Sequence, residues 1–111
     1  MNLRALAFVV AALLPSGVNA ANYATCILDE VPKTRTDAAA ISVSRACNNL
    51  YPGGMAAVQP GSGLGGLFAY DSGAECVKKK TKGLRSESAT TMVRFACNRL
   101  YNENAAGAVR R

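Results

Sequence analysis

The chain has 111 residues and a formal net charge of +6 at pH 7, and it contains no histidine. Without histidine, the commonest general base and the commonest metal ligand are both missing. The sequence also lacks the G-x-S-x-G nucleophile motif, the phosphate-binding glycine loop and the C-x-x-C redox pair. We therefore predict one small domain that is not an enzyme, has no cofactor and takes no small-molecule substrate.

Residues 1–20 predict a cleavable signal peptide. Arg4 precedes an apolar run from Ala5 to Leu14, and small residues lead to a cleavage point after Ala20. The run is shorter than the roughly 20 residues that cross a bilayer, which argues against an uncleaved membrane anchor. A buried helix is the other alternative. The prediction is a secreted or periplasmic protein whose mature chain has no transmembrane segment.

All four cysteines follow the predicted cleavage point, and an even number of cysteines in an exported chain is typical of disulfides. The alternative is a zinc site made of four thiolates. Such sites place cysteines at very short spacing, whereas 20 residues separate the members of each pair here. Two disulfides and no metal site are therefore predicted. The cysteines are Cys26, Cys47, Cys76 and Cys97.

The chain contains an internal duplication. Residues 26–51 align with residues 76–101 without a gap, and nine of the 26 aligned positions are identical. In the first unit these positions are Cys26, Arg35, Ala39, Val43, Ala46, Cys47, Asn48, Leu50 and Tyr51. The duplication predicts a first helical-hairpin unit at 21–51 and a second at 74–102.

The segment between the units, residues 52–73, is rich in glycine and proline. This composition predicts a flexible connector rather than a helix or strand. Its apolar residues are candidates to lie over the core, and they are Met55, Val58, Leu64, Leu67 and Phe68. A flexible tail is predicted at 103–111.

Each unit has the pattern of a helix, a short turn and a second helix. The turns contain Pro32 and Gly83, which end the first helices. Thr36 and Ser86 are the predicted N-caps of the second helices, and each precedes an acidic residue that favours a helix N-terminus. Five apolar positions of each second helix form one predicted buried stripe. The stripe comprises Ala39, Val43, Ala46, Cys47 and Leu50, with Ala89, Val93, Ala96, Cys97 and Leu100 in the second unit.

The predicted fold class is all-α, with two disulfide-stapled helical hairpins. Four cysteines allow three pairings. In an antiparallel hairpin, a cysteine early in the first helix faces a cysteine late in the second. We therefore favour Cys26–Cys47 and Cys76–Cys97, with the Cα atoms of each pair within about 4.4–6.8 Å. The other two pairings also respect the internal symmetry and stay open at this point.

The positive charge is concentrated in the second unit. The sequence "KKKTKGLR" occupies residues 78–85, where the first unit has Leu28, Asp29 and Glu30 opposite the three leading lysines. This run is a candidate anion-binding patch for phospholipid or lipopolysaccharide phosphates, nucleic acid or an acidic partner. The alternative is an ordinary solvated helix end, since consecutive lysines on a helix point about 100° apart. The candidate residues are Lys78, Lys79, Lys80, Lys82 and Arg85.

Two further features lie away from the predicted stripe. Asn48 and Asn98 are identical and are either matched surface contacts or polar residues that bond near a helix end. Phe95 stands where the first unit has Arg45. An apolar side chain in this position predicts a contact between the hairpins or a partner site.

The two units are "CILDEVPKTRTDAAAISVSRACNNLY" and "CVKKKTKGLRSESATTMVRFACNRLY". Each resembles a unit of small exported four-cysteine proteins of bacteria, in which a cysteine-headed helix and an alanine-rich helix flank a turn. The resemblance implies export and paired disulfides. It implies no activity and no functional residue, and the lysine run departs from its pattern.

These features predict an exported, non-enzymatic binding or interaction module whose basic second unit contacts an anionic surface or an acidic partner. The alternative is a structural or stress-resistant secreted protein with no specific ligand. A membrane-disrupting toxin would need a strongly amphipathic basic helix, which the helical wheel does not give.

Overall fold

The computed structural model describes residues 21–67 and 69–102. The predicted signal peptide, Phe68 and the predicted tail lie outside the described residues. Within the described ranges, all regular secondary structure is helical, which confirms the all-α prediction. The four α-helices are α1 (Tyr23–Glu30), α2 (Asp37–Leu50), α3 (Gly73–Lys80) and α4 (Glu87–Tyr101), and short 3-10 helices span Val31–Lys33 and Gly54–Ala57.

Each hairpin is closed by its own disulfide. Cys26 of α1 is bonded to Cys47 of α2, with 5.8 Å between the Cα atoms. Cys76 of α3 is bonded to Cys97 of α4, with a Cα separation of 5.5 Å. The favoured pairing is therefore confirmed among the three that the sequence allowed, and all four sulfur atoms are engaged in disulfides.

The second helix of each hairpin begins at the predicted cap. The Thr36 hydroxyl accepts a hydrogen bond of 3.1 Å from the Ala39 N–H. The Ser86 hydroxyl accepts one of 3.0 Å from the Ala89 N–H. Each bond satisfies a backbone donor that the helix itself leaves unpaired, so these residues determine where α2 and α4 start.

The first helix of each hairpin also begins after a capping residue. Asn22 caps α1 by accepting from the Thr25 N–H at 2.9 Å, and Ser72 caps α3 by accepting from the Glu75 N–H at 3.1 Å. Both caps lie four residues before the first cysteine of their unit. The duplicated unit therefore includes its own helix start. In the sequence, each of these helix starts is indicated by a capping residue that is followed three positions later by Thr25 or Glu75.

The core is shared by the two hairpins, and α4 lies at its centre. This helix packs against α1, α2 and α3, so both disulfide-closed units bury apolar surface on the same element. The buried apolar residues are Ala24, Ile27, Leu28, Val31, Ala40, Cys47, Val58, Cys76, Ala89, Val93, Ala96, Cys97 and Leu100. The two hairpins share no disulfide, and this common core holds them together.

The predicted stripe is buried in one unit and largely open in the other. All five of its positions on α4 are buried. On α2 only Cys47 of the five is buried, while Ala46 is exposed and Leu50 is 68% exposed. The prediction was therefore wrong for Ala46 and Leu50. The physical reason is that α2 lies at the edge of the fold, where no helix covers its outer side as α1 and α3 cover α4.

The connector is anchored to α4 rather than held only at its ends. The N–H groups of Gly61 and Gly63 donate to the carbonyls of Arg99 and Leu100, each at 2.8 Å. The Arg99 side chain returns a bond from Nε to the Val58 carbonyl at 2.7 Å. The two bonds from the glycines satisfy carbonyl groups at the C-terminal end of α4, which the helix leaves without partners. The connector thus contacts the end of α4 at Gly61 and Gly63.

Candidate functional site

The turns of the two hairpins lie at the same end of the molecule. Asp37, the first residue of α2, accepts a hydrogen bond from the Ser86 hydroxyl and one of 3.2 Å from the Ser88 N–H. Because Ser86 caps α4, these bonds join the starting points of the two second helices. We call this region the turn end and define it as residues 31–37 and 78–88.

The same hydrogen bonds change the acidity of Asp37. Its pKa is lowered from the ordinary value of 3.8, first by the Ser86 hydroxyl and then by the Ser88 N–H, while slight burial opposes them. Both donors favour the charged carboxylate over the neutral acid. The ionised side chain therefore stabilises the folded state.

We expect the stability that Asp37 contributes to depend on pH in the acid range. Because the folded-state pKa is depressed, the contribution is complete above the ordinary value of 3.8 and is lost as pH falls through the folded value. Asp37→Asn should therefore be less stable than the wild type at neutral pH, and the difference should shrink on acidification. Urea unfolding of both proteins across a pH series measures this. A difference that stays constant into strongly acid solution would show that the charge is irrelevant.

The lysine run lies at the C-terminal end of α3. Lys78, Lys79 and Lys80 occupy the last turn of this helix, where a positive charge interacts favourably with the negative end of the helix dipole. Lys82 and Arg85 follow in the turn to α4. The side chains of Lys78, Lys79, Lys82 and Arg85 are exposed, whereas Lys80 is half-buried.

The structure brings together three of the five candidate residues and places the other two elsewhere. Lys78, Lys79 and Lys82 all line one surface depression. Lys80 instead lines a different hollow together with Asp29 of α1 and Tyr101 of α4. Arg85 lies on the turn end immediately before the Ser86 cap. The three consecutive lysines therefore lie on two different surfaces, Lys78 and Lys79 on one and Lys80 on the other.

Within residues 21–67 and 69–102, the one ion pair joins Lys33 and Glu30, at 3.4 Å on the surface of the first hairpin. The exposed cations of the second hairpin have no acidic partner among the described residues. Exposed charges of this kind can attract an anion over about a Debye length.

A hollow of about 270 Å³ lies where the two hairpins meet beside Lys80. The rings of Tyr70 and Tyr101 meet edge to face there, with centroids 5.3 Å apart. The pKa of Tyr101 is raised, first by burial and then by the nearby Tyr70 and Asp29. All of these effects favour the neutral phenol, which suits a packing role for this ring.

The side chain of Phe95 is 64% exposed. It lines an apolar groove of about 300 Å³ with Tyr23, Ile27, Met55 and Met92. Residues of both hairpins line this groove, so a contact between the hairpins and a partner site are both compatible with the position of Phe95. Exposed aromatic and methionine side chains are characteristic of the central parts of protein interfaces.

The two matched asparagines have different surroundings. Asn98 accepts a hydrogen bond of 3.1 Å from the Asn102 side-chain amide, and the Asn102 carbonyl oxygen accepts one of 2.9 Å from the Gly73 N–H. These two hydrogen bonds connect the start of α3 to the end of α4. A side chain at Gly73 would collide with both asparagines. Asn48 is exposed and has no equivalent network among the described residues.

Among the described residues, no cluster of three or more His, Cys, Asp or Glu side chains is placed to hold a metal ion. The same part of the chain contains no helix with the length and apolarity needed to cross a membrane.

Comparison with known proteins identifies the family. The family model described as four-cysteine protein VF_A0006-like matches residues 3–60, which is just over half of the chain and includes Cys26 and Cys47. No curated protein and no solved structure matches the chain. The match confirms the resemblance seen in the cysteine units. This chain belongs to the four-cysteine protein VF_A0006-like family.

Proposed function

We propose that this protein is an exported, non-enzymatic binding module that contacts an anionic surface or partner through its basic second hairpin. The observation that carries the proposal is the grouping of Lys78, Lys79 and Lys82 around one surface depression, exposed and without an acidic partner among the described residues. Three ammonium groups so placed can meet several negative charges at once.

The two disulfides support the part of the proposal that concerns export. Structural disulfides persist in oxidising compartments and are rare in the reducing cytosol. A domain of this size also gains much of its stability from such crosslinks. In this proposal, the predicted signal peptide at 1–20 directs the export of the protein.

The magnitude of the electrostatic attraction is sufficient to be measured. Each lysine or arginine near a membrane surface rich in anionic lipid contributes about 1 kcal/mol of binding free energy. The attraction is screened by salt, because exposed charges interact over a Debye length of about 10 Å at 0.1 M ionic strength. The proposal therefore requires binding that weakens strongly as salt is added.

The test is sedimentation of the protein, purified from the exporting compartment, with vesicles of phosphatidylcholine and phosphatidylglycerol. We expect the double variant K78Q/K82Q to bind about 30-fold more weakly than the wild type, from two contributions of about 1 kcal/mol each. The matched control is R45Q/R94Q, which removes the same charge from exposed positions on α2 and α4. The affinity of this control for the vesicles should decrease much less than that of K78Q/K82Q.

Equal losses in the two variants would mean that only the overall charge matters and that the second hairpin has no special role. Absence of binding to anionic vesicles at low salt would favour the alternative of a structural protein without a ligand. Leakage of vesicle contents at the binding concentration would instead indicate a membrane-disrupting activity.

A further inference from the structure

The hollow beside Lys80 is a second candidate site, on a different surface from the one that the proposed function uses. It is lined by α1 of the first hairpin, by α3 and α4 of the second, and by the connector. Its volume of about 270 Å³ lies just below the range of about 300–1,000 Å³ that holds drug-sized ligands, so a ligand here would be small. The lining residues that matter are Leu28, Asp29, Tyr70, Lys80, Leu100 and Tyr101.

Two opposite charges line this hollow without forming an ion pair. Asp29 is exposed on α1, and Lys80 is half-buried on α3. Among the residues that the structure describes, the one ion pair lies elsewhere, on the surface of the first hairpin. The Asp29 charge acts within the hollow, because it adds to burial and to Tyr70 in raising the pKa of Tyr101. The hollow therefore offers an anionic and a cationic group to one ligand.

The remaining walls are apolar and aromatic. Leu28 and Leu100 are 5% and 2% exposed, so they present little surface except toward the hollow. The half-buried rings of Tyr70 and Tyr101 meet edge to face, an arrangement in which one of the two rings keeps both faces clear of the other. An aromatic face beside a carboxylate favours an organic ammonium group. A matching ligand thus combines an ammonium group, an anionic group and a small apolar part.

We infer that this hollow binds a free amino acid with an apolar side chain. The Asp29 carboxylate accepts hydrogen bonds from the α-ammonium group, and the Lys80 ammonium donates to the α-carboxylate. The apolar walls contact the side chain of the ligand. A ligand with only one charge matches less well, because a simple anion meets Asp29 and a simple cation meets Lys80. The amino acid is bound and not converted, so it is a ligand and not a substrate.

The test is an NMR titration of the isotope-labelled protein, purified from the exporting compartment, with leucine and three analogues. Leucinamide lacks the carboxylate, isocaproate lacks the ammonium group, and glycine lacks the apolar side chain. We expect leucine to shift the backbone amide signals of Asp29, Lys80 and Tyr101 saturably. Leucinamide and isocaproate should bind about tenfold more weakly, because each leaves one charged group of the hollow without a partner. Glycine should also bind about tenfold more weakly.

Each charged residue has a matched control next to it on the same helix. D29N is compared with E30Q on α1, and K80Q with K79Q on α3, since both control positions are exposed and lie outside the hollow. D29N and K80Q should weaken leucine binding about tenfold. The controls should change it less than about twofold, because exposed charges at a distance are screened by solvent and salt. Unchanged melting temperatures of D29N and K80Q exclude a folding defect.

Absence of a saturable shift with leucine would overturn the inference, and so would shifts confined to residues outside the hollow. Leucinamide or isocaproate that binds as tightly as leucine would show that the hollow does not select a ligand with both charges. Equal losses in D29N and E30Q, or in K80Q and K79Q, would show that only the overall charge matters. None of these results affects the proposed function, whose vesicle test depends on Lys78 and Lys82.

Discussion

Replacing Cys76 and Cys97 together with alanine is expected to lower the free energy of unfolding by about 4 kcal/mol. The disulfide joins residues 21 apart, and closing a loop of that size stabilises the folded state by about 3 kcal/mol in the chain-entropy model. Both cysteines are also completely buried, so truncation leaves a small cavity beside α4. A loss of this size is a large part of the stability of a small domain.

The matched comparison is the replacement of Cys26 and Cys47, which closes a loop of the same size in the first hairpin. Cys26 is only half-buried, so we expect a smaller loss of about 3 kcal/mol. Urea unfolding of both double variants measures the difference. A smaller loss for the second hairpin than for the first would contradict the central position of α4.

Ile27→Ala is expected to cost about 3 kcal/mol of stability. The side chain is 1% exposed and extends from α1, a helix of the first hairpin, into the core formed with α4 of the second. Its truncation removes apolar surface and leaves a cavity at the contact between the hairpins. The two hairpins share no disulfide, so this contact, the connector and the hydrogen bonds of Asp37 hold them together.

The control for Ile27 is the same substitution at Ile41, which is 39% exposed on α2. Ile41→Ala should cost less than about 1 kcal/mol, because most of the removed surface still contacts water or can relax toward it. Thermal unfolding followed by circular dichroism measures both. Similar losses at the two positions would mean that the hairpins do not share a core.

Much of the fold could be predicted because the duplication repeats each signal. Thr36 and Ser86 are capping residues at equivalent positions, and both caps are present. The cysteine spacing places one cysteine early in a first helix and the other late in a second. This geometry favours the pairing that the structure contains.

The arrangement of the units relative to each other could not be predicted. Leu50 and Leu100 occupy the same position of the repeat, yet Leu50 is 68% exposed and Leu100 is 2% exposed. An amphipathic pattern indicates which face of a helix is apolar but not which neighbours will cover it. The hydrogen bonds between Arg99 and the connector depend on the same long-range arrangement.

The candidate site was predictable in its charge but not in its extent. The lysine run was visible in the sequence, whereas the separation of Lys80 from Lys78 and Lys79 depends on where α1 lies.

Each disulfide joins cysteines that are consecutive along the chain. A chain that enters an oxidising compartment N-terminus first presents both cysteines of one pair before the next cysteine emerges. Closing a loop over 21 residues also costs less conformational entropy than closing one over the 50 residues between Cys26 and Cys76. In a chain that enters such a compartment, Cys26–Cys47 is therefore the first bond that can form. Cys76 and Cys97 then have only each other as partners, so oxidation can reach the observed pairing without exchange between the two hairpins.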